Sequence, residues 1–343
     1  METCFLTGGT GFVGANLARL LIEKGFHVRA LARKGSNRKN LEGLPVEIVE
    51  GGLSDEAALK AGCSGARFAF HCAADYRLWV QNPEAMYESN VQGTVHVVEA
   101  ALRAGCEKIV HCSSVAVVKP RPDRRPADET SEYASESEIV SHYKKSKYLA
   151  EKEALKLAQK GAPVVVVNPA APIGDHDVKP TPTGKIVVDF LNGRIPSYIE
   201  TGLNVVFARD VALGHLLAAE KGRIGERYIL GGENITFKAM LEILADISGL
   251  PGPQFKTPYS VAYVFAALDS ARAKLMGGEP LAPLDAVKMA KYYMWYDSTK
   301  AQKEWGYHPV SAHEALKSAV NWFLENGYVS KKAEERMEGL GKK

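Results

Sequence analysis

The sequence has no apolar run approaching the roughly 20 residues that a membrane-spanning helix requires, so no transmembrane anchor is expected. Its five cysteines (Cys4, Cys63, Cys72, Cys106 and Cys112) fall in the first third of the chain and form no CxxC pair, which reads as reduced, buried thiols. His308 and His313 stand near one another without cysteine or acidic partners at ligand spacing, so no metal site is expected. The chain also opens almost directly into a strand pattern, with no basic leader, apolar h-region or cleavage site. A cytoplasmic location is the expectation. Nor is there an excess of one charge: 43 lysines and arginines face 40 acids, and the cations are scattered, which argues against nucleic acid as a partner. The short cluster from Arg121 to Arg125 reads as a solvated loop.

What the chain does have is apolar content, 46% of 343 residues, enough for one large or two modest domains. Everything is arranged around Thr7-Gly8-Gly9-Thr10-Gly11-Phe12-Val13-Gly14, set between the apolar run Cys4-Phe5-Leu6 and the amphipathic run from Ala15 to Lys24. This is the pattern of strand, tight turn and helix. Gly8 would make the turn, Gly11 would let backbone approach a pyrophosphate, and Gly14 would let the helix pack closely. The helix amino end then offers free N–H groups and a positive dipole to phosphates.

Strand and helix patterns alternate from there. Phe26 to Ala32 reads as a strand, Val46 to Glu50 as another, and Ala66 to His71 as a fourth, ending in the small residues Cys72-Ala73-Ala74. A helix is expected from about Pro83 to Ala104, a fifth strand from Lys108 to Cys112, and a further helix from Ile139 to Gln159. This alternation predicts an α/β fold with a doubly wound parallel sheet of the Rossmann type. Ligands of such sheets bind beyond the carboxyl ends of the strands. Arg33, Lys34 and Arg38 follow the second strand, where an acid would hold a ribose 2′-hydroxyl and a base suits a 2′-phosphate. NADP(H) is therefore expected over NAD(H). The plainer alternative is a basic loop in solvent.

The fifth strand ends in Ser113-Ser114, and the helix after it carries Tyr143-Lys144-Lys145-Ser146-Lys147. Residues four apart share a helix face, so Tyr143 and Lys147 point together, whereas Lys144 and Lys145 read as surface residues. A tyrosine next to an ammonium can act as acid or base for hydride exchange at an oxygen-bearing carbon, with Ser114 holding the substrate oxygen.

The glycine turn, the serine pair and the YxxxK helix, in this order, resemble the extended branch of the short-chain dehydrogenase/reductase superfamily. More narrowly, Ala73 to Trp79, Asn90-Val91-Gln92-Gly93-Thr94, Val167-Asn168-Pro169, Lys179 to Gly184 and Gly225 to Asn234 resemble the hopanoid-associated sugar epimerase family, itself similar to dihydroflavonol 4-reductase. The resemblance implies that Gly8, Gly11, Phe12 and Val13 meet the pyrophosphate and Arg33 the 2′-phosphate, with Gly14 also in the cofactor site. It places Leu53, Ala73, Ala74 and Pro169 along the cofactor and makes Ser114, Tyr143 and Lys147 the catalytic trio. One departure is Gly52, where the family usually has an aspartate on the adenine amine; Ser54 or Asp55 could compensate. A homodimer through the helices near 85–104 and 139–159 is implied as well.

The expected division is a cofactor domain of residues 1–172 plus 205–232, a smaller, discontinuous C-terminal substrate domain of 173–204 plus 233–328, and a solvated tail of 329–343. Asp210 reads either as part of a turn into a helix or as its N-cap. The apolar run Tyr259 to Leu268 is too short to span a bilayer. Packing within the substrate domain is its plain reading; a lid over a greasy substrate and a weak membrane-surface contact are the sharper ones. Together these features point to an NADP(H)-dependent oxidoreductase acting on a small-molecule carbonyl or secondary alcohol, in hopanoid-associated metabolism if the resemblance extends that far. The alternatives are an NAD-dependent sugar or nucleotide-sugar epimerase or dehydratase, favoured by Asn168-Pro169, and a non-catalytic NADP sensor on the same fold.

Overall fold

The structure, a computed structural model, describes all residues of the chain except 78, 79, 81, 279, 281, 282, 342 and 343. Leu78 and Trp79 of the Ala73–Trp79 motif and the end of the expected tail thus lie outside the described residues.

Six strands follow the sequence pattern closely: β1 (Thr3–Thr7), β2 (His27–Ala32), β3 (Val46–Glu50), β4 (Ala66–His71), β5 (Lys108–Cys112) and β6 (Val164–Pro169). With Arg227–Leu230 they form one parallel sheet, in the order Arg227–Leu230, β6, β5, β4, β1, β2, β3. The expected doubly wound sheet is what the chain builds. β1 pairs with β2 on one side and β4 on the other, so the chain direction of winding reverses there and leaves a crevice above the carboxyl ends.

Helix α1 (Phe12–Glu23) follows β1, α2 (Glu56–Cys63) follows β3, and α3 (Glu84–Tyr87) runs through a π turn at Glu88–Gln92 into α4 (Gly93–Arg103). Strand periodicity divides the core between two faces. Cys4 and Leu6 pack with Leu17 and Leu21 of α1 and with Val211 and Leu216; Phe5 points the other way, to Leu59, Val97 and Ala101. Each large apolar side chain so buried contributes about 1.5–3 kcal/mol. Helix α5 (His142–Gln159) begins three residues later than expected, because Ser141 adopts φ 84° and accepts a hydrogen bond from Lys144 N, capping the helix there.

The remaining helices are α6 (Pro182–Leu191), α7 (Ala208–Lys221), α8 (Phe237–Ser248), α9 (Tyr259–Met276), α10 (Leu284–Met289), α11 (Thr299–Trp305), α12 (Ala312–Glu325) and α13 (Lys331–Gly341). α7 returns to the large sheet against α1. A second, smaller sheet joins Ala171–Ile173, Gly202–Phe207, Glu233–Thr236 and Tyr293–Met294. A separate core of Phe190, Met240, Leu244, Leu316 and Phe323 lies with it.

Three boundaries differ from the sequence reading. Strand Gly202–Phe207 pairs wholly within the second sheet, so the cut at 205 falls inside a strand. Ala301, Trp305 and Tyr307 pack into the core of the large sheet, although residues 233–328 were expected in the substrate domain. Residues 331–341 form α13, which buries Ala333 and packs Met337 on the second core, and this corrects the expected solvated tail at 329–343. Asp210 is not an N-cap either: it lies inside α7, and its carboxylate accepts a hydrogen bond from Val310 N at 2.8 Å.

Candidate active site

The glycine turn is shaped by contact, not by flexibility. Gly8 has φ 75°, and a Cβ there would fall 2.5 Å from Ala73 N; a Cβ at Gly14 would fall 2.2 Å from Gly8 O. Larger residues would push β1, the turn and the Cys72–Ala73 segment apart. Gly11 donates its N–H to Gly8 O at 2.9 Å and begins α1. No side chain caps that helix, and no acid stands in its first turn. An anion is thus free to approach the amino end, which fits a dinucleotide pyrophosphate beside Phe12 and Val13. Ala73 and Ala74 follow β4, Ala73 N donating to Thr7 Oγ1 at 3.3 Å, and Pro169 is the last residue of β6.

Beyond β2, Arg33, Lys34, Glu50, Gly51, Gly52 and Asp55 line a cavity of about 510 Å³. Arg33 and Lys34 are exposed, whereas Arg38 forms an ion pair with Glu50. Nothing lies within 4 Å of where a Cβ on Gly52 would stand, so the space the family's aspartate would use is open. Asp55 lines the same cavity but also caps α2, accepting from Ala58 N at 3.0 Å. Leu53 turns away in part, packing against Gly93 at the start of α4.

The structure places Ser114 beside Tyr143, close enough for its hydroxyl to act on the phenol. Ser114 Oγ also accepts from Ala116 N at 3.1 Å, while the neighbouring Ser113 is buried with its hydroxyl unpartnered among the described residues. Lys147 is buried, and its Nζ donates to Cys112 O at 2.7 Å. Burial pushes the Tyr143 phenol up to about 12, and the nearby Ser114 only partly offsets this. Burial likewise lowers Lys147. In the protein by itself burial thus dominates the Tyr143 phenol, with Ser114 working against it. At neutral pH Tyr143 is a protonated donor.

Two asparagines hold this arrangement, and their roles could not be read from sequence. Asn168 Nδ2 donates to Ser114 O at 3.1 Å and to Glu151 Oε2 at 2.7 Å, joining β6, the Ser114 turn and α5. Glu151 is in turn paired with Arg227 at 3.1 Å. Asn90, in the π turn, accepts from Asp75 N at 2.7 Å and donates to Ser146 Oγ at 2.9 Å, fixing the segment after Ala74 against α5. Below them His71 bonds Thr7 Oγ1 at 2.7 Å and Thr94 Oγ1 at 3.0 Å, and burial holds its pKa at about 3, so it stays neutral.

Other groups depart from the sequence reading. Lys144, expected at the surface, is 7% exposed, and burial lowers it to about 8. Cys72 and Cys112 are only half-buried, and their thiols gather with His215 so that the three ligand atoms lie within 4.8 Å of one another. The expectation of no metal site rested on linear spacing, and this cluster is assembled by neighbouring strands and α7 instead. Across the crevice, Asp177 is buried, accepts from Thr181 N at 2.9 Å and from Thr181 Oγ1 at 2.8 Å, and is raised by burial to about 6.

The fold and this crevice define a nucleotide-dependent α/β enzyme. Residues 4–231 match the NAD dependent epimerase/dehydratase family, and the chain belongs to it. It is 46% identical to a protein of Synechocystis sp. provisionally named dihydroflavonol 4-reductase, over 96% of this chain and 97% of that one. It is 32% identical to sterol demethylase protein B of Methylococcus capsulatus, over 95% of this chain and 100% of the relative. A solved nucleoside-diphosphate-sugar epimerase from Pseudomonas aeruginosa superposes with a TM-score of 0.79 at 26% identity, covering 96% of this chain and 99% of that one. Its relatives are NAD(P)-dependent reductases, epimerases and dehydratases, and this chain is an enzyme of that extended short-chain dehydrogenase/reductase type.

Proposed function

We propose that the protein is an NADP(H)-dependent reductase that transfers hydride to a small-molecule carbonyl, and in reverse oxidises the secondary alcohol. The observation that carries this reading is the placement of Tyr143 beside Ser114 and one helical turn from the buried Lys147, with burial keeping the phenol protonated at neutral pH. A carbonyl oxygen that accepts from both hydroxyls receives its proton from Tyr143 as negative charge develops on it. Lys147, fixed by Cys112 O, supplies the positive charge toward the phenolate left behind. The bound nicotinamide cofactor supplies the hydride. Gly8, Gly11, Phe12, Val13 and Gly14 hold its pyrophosphate, Leu53, Ala73, Ala74 and Pro169 line it, and Arg33 and Lys34, exposed at the rim of their cavity, favour the 2′-phosphate. The names of the Synechocystis and Methylococcus relatives support a ring-bearing, apolar substrate, compatible with hopanoid-associated metabolism.

Oxidation of NADPH against a panel of apolar ring ketones tests the reading, and no turnover with any of them would sink it. The second reading, an epimerase or dehydratase, is supported by the Pseudomonas relative. Asn168-Pro169 supports it less than the sequence suggested, since Asn168 is committed to Ser114 and Glu151. Stoichiometric NAD⁺ released from the denatured protein and seen by mass spectrometry would favour that reading. We further propose a homodimer formed through α4 and α5, in the cytoplasm; a monomeric mass by light scattering at micromolar concentration would count against the dimer.

A further inference from the structure

Cys72 and Cys112 stand side by side at the carboxyl ends of β4 and β5. Register brings this about: His71 pairs with His111 in the parallel ladder, and each cysteine is the next residue along its own chain. Registered neighbours turn their side chains to the same face of a sheet. Here that face is the one α7 covers, since both cysteines pack against the core that holds Val211 and Leu216, and α7 contacts β5 and β6. α7 also brings His215, so that two sulfurs and an imidazole nitrogen lie within 4.8 Å of one another.

The imidazole is held ready as a ligand. His215 is fully buried, and its Nδ1 lies 2.7 Å from Val211 O. A carbonyl oxygen can only accept, so Nδ1 carries the proton of the neutral ring and Nε2 the lone pair. Nε2 is buried and makes no hydrogen bond among the described residues, a cost that protein interiors seldom leave uncompensated. Metal-binding histidines are held in this way, the second nitrogen donating to a backbone carbonyl. Outside the cluster the Cys112 thiol reaches Ser113 O at 3.9 Å, a weak contact that leaves the sulfur free to turn.

We propose that Cys72, Cys112 and His215 bind a zinc ion, which ties β4 and β5 to α7. Two sulfurs and one imidazole nitrogen select a soft or borderline cation over Mg²⁺ or Ca²⁺, which take oxygen ligands. Zinc–sulfur distances are about 2.3 Å and zinc–nitrogen distances about 2.0–2.1 Å, so the three atoms close by about 1 Å on binding. Water takes the fourth position. The two thiol protons leave to solvent. Two thiolates then cancel the charge of Zn²⁺, and a neutral complex suits a buried place where Lys147 already donates to Cys112 O. Ala73-Ala74 follow Cys72 directly and Ser113-Ser114 follow Cys112, so the ion braces the cofactor segment and the serine turn together. The inference stands on this cluster and holds whichever reaction the crevice performs.

The test uses the full chain, reduced and stripped of metal with a chelator under argon. Calorimetric titration with Zn²⁺ is expected to give one equivalent per chain, and Mg²⁺ no binding. Co²⁺ should give the near-ultraviolet thiolate-to-metal band and the visible spectrum of a tetrahedral site. Saturating Zn²⁺ should raise Tm by roughly a few degrees. Cys72→Ser and Cys112→Ser should each weaken Zn²⁺ by about a hundred-fold or more, beyond the loss that removing an outer partner of a metal ligand causes. Should either variant fail to fold, alkylation of the wild type gives the same answer: Zn²⁺ should shield Cys72 and Cys112, mapped by peptide mass spectrometry. Cys63 and Cys106, in the core on the other face of the sheet, should show no zinc-dependent change. Absence of Zn²⁺ binding to the wild type overturns the proposal, as does affinity unchanged in both cysteine variants or shielding that falls on Cys63 and Cys106. A reversible Cys72–Cys112 disulfide in a protein whose reduced form does not bind Zn²⁺ overturns it too, and makes the pair a redox couple instead.

Discussion

Lys147 donates to the carbonyl oxygen of Cys112 at 2.7 Å, tying the second turn of α5 to the last residue of β5. Ser113 and Ser114 follow Cys112 directly, so this bond, with Asn168, fixes Ser114 against the helix that carries Tyr143. Lys147→Met keeps the apolar stem and removes the donor and the charge. The expected result is a kcat lower by about a hundred-fold or more and a loss of about 1–3 kcal/mol in stability, because Cys112 O stays buried without its partner. Steady-state kinetics and urea unfolding on the same preparation measure both. A variant that keeps its kcat would remove Lys147 from the chemistry.

Tyr143, at about 12, is protonated throughout the neutral range. If it is the proton donor, kcat/KM for carbonyl reduction should be insensitive to its titration until strongly alkaline pH, falling only as the phenol ionises. Tyr143→Phe should lose about 10²–10⁴ in kcat while NADPH affinity, read by fluorescence titration, changes little. A wild-type profile that collapses through neutral pH would assign the titrating group elsewhere, and Lys144 at about 8 would be the first to test.

Asn168 reaches Ser114 O and Glu151 from β6 and touches neither Tyr143 nor the glycine turn by hydrogen bond. It acts as a positioning residue. Asn168→Asp puts a carboxylate against Glu151 and should cost about 1–3 kcal/mol of stability, with a lower kcat and a KM for NADPH that is little altered. Lost stability with unchanged kcat would confine Asn168 to a structural role.

The parts of this picture that sequence revealed are local. A glycine turn between a strand and a helix, and a tyrosine four residues from a lysine, are settled by backbone geometry over less than two helical turns, and alternation of strand and helix over 170 residues leaves few sheet topologies open. What escaped needed distant partners. Asn90 and Asn168 look like any polar residues until α5 and the Ser114 turn are brought to them. Lys144 has the spacing of a surface residue but the burial of a core one. The apolar run at the start of α9, expected to pack within the substrate domain, leaves Val261, Val264, Phe265 and Leu268 exposed; periodicity states which residues share a face without stating which way it points. α13 was hidden because its charged composition outweighed two contact residues, Ala333 and Met337.

Asp177 gives a pH signature in stability. Its folded pKa, about 6, lies above the ordinary 3.8, so burial disfavours the ionised form. The native state is relatively most stable below about pH 4, where the carboxyl is protonated folded and unfolded alike, and that contribution is lost as pH rises through 6. Two units correspond to at most about 3 kcal/mol. Asp177→Asn, which cannot ionise, should therefore gain on the wild type between pH 4 and pH 6, with the difference flat above pH 7. Parallel denaturant curves at these pH values measure it, and a difference that does not move with pH would place the titration outside Asp177.

Cofactor choice turns on which cations at the end of β2 are free. Arg38 is paired with Glu50, while Arg33 and Lys34 line the cavity that also exposes Gly52 and Asp55. Discrimination for a 2′-phosphate should then rest on Arg33 first and Lys34 second, with Arg38 contributing little. A charge-assisted hydrogen bond from a guanidinium to phosphate contributes about 1.5–3 kcal/mol, so Arg33→Ala should weaken NADP(H) by about ten- to a hundred-fold. NAD(H) has no such phosphate and should change far less. Arg38→Ala, by contrast, frees Glu50 beside the site, and the released carboxylate should itself disfavour NADP(H) through repulsion, more strongly at low salt. Adding Glu50→Gln to Arg38→Ala should restore the affinity, which separates repulsion from a lost contact. Titration of both cofactors into wild type and the three variants decides the matter: an unchanged ratio of dissociation constants in Arg33→Ala would remove Arg33 from the site, and no recovery in the double variant would make Arg38 a direct ligand.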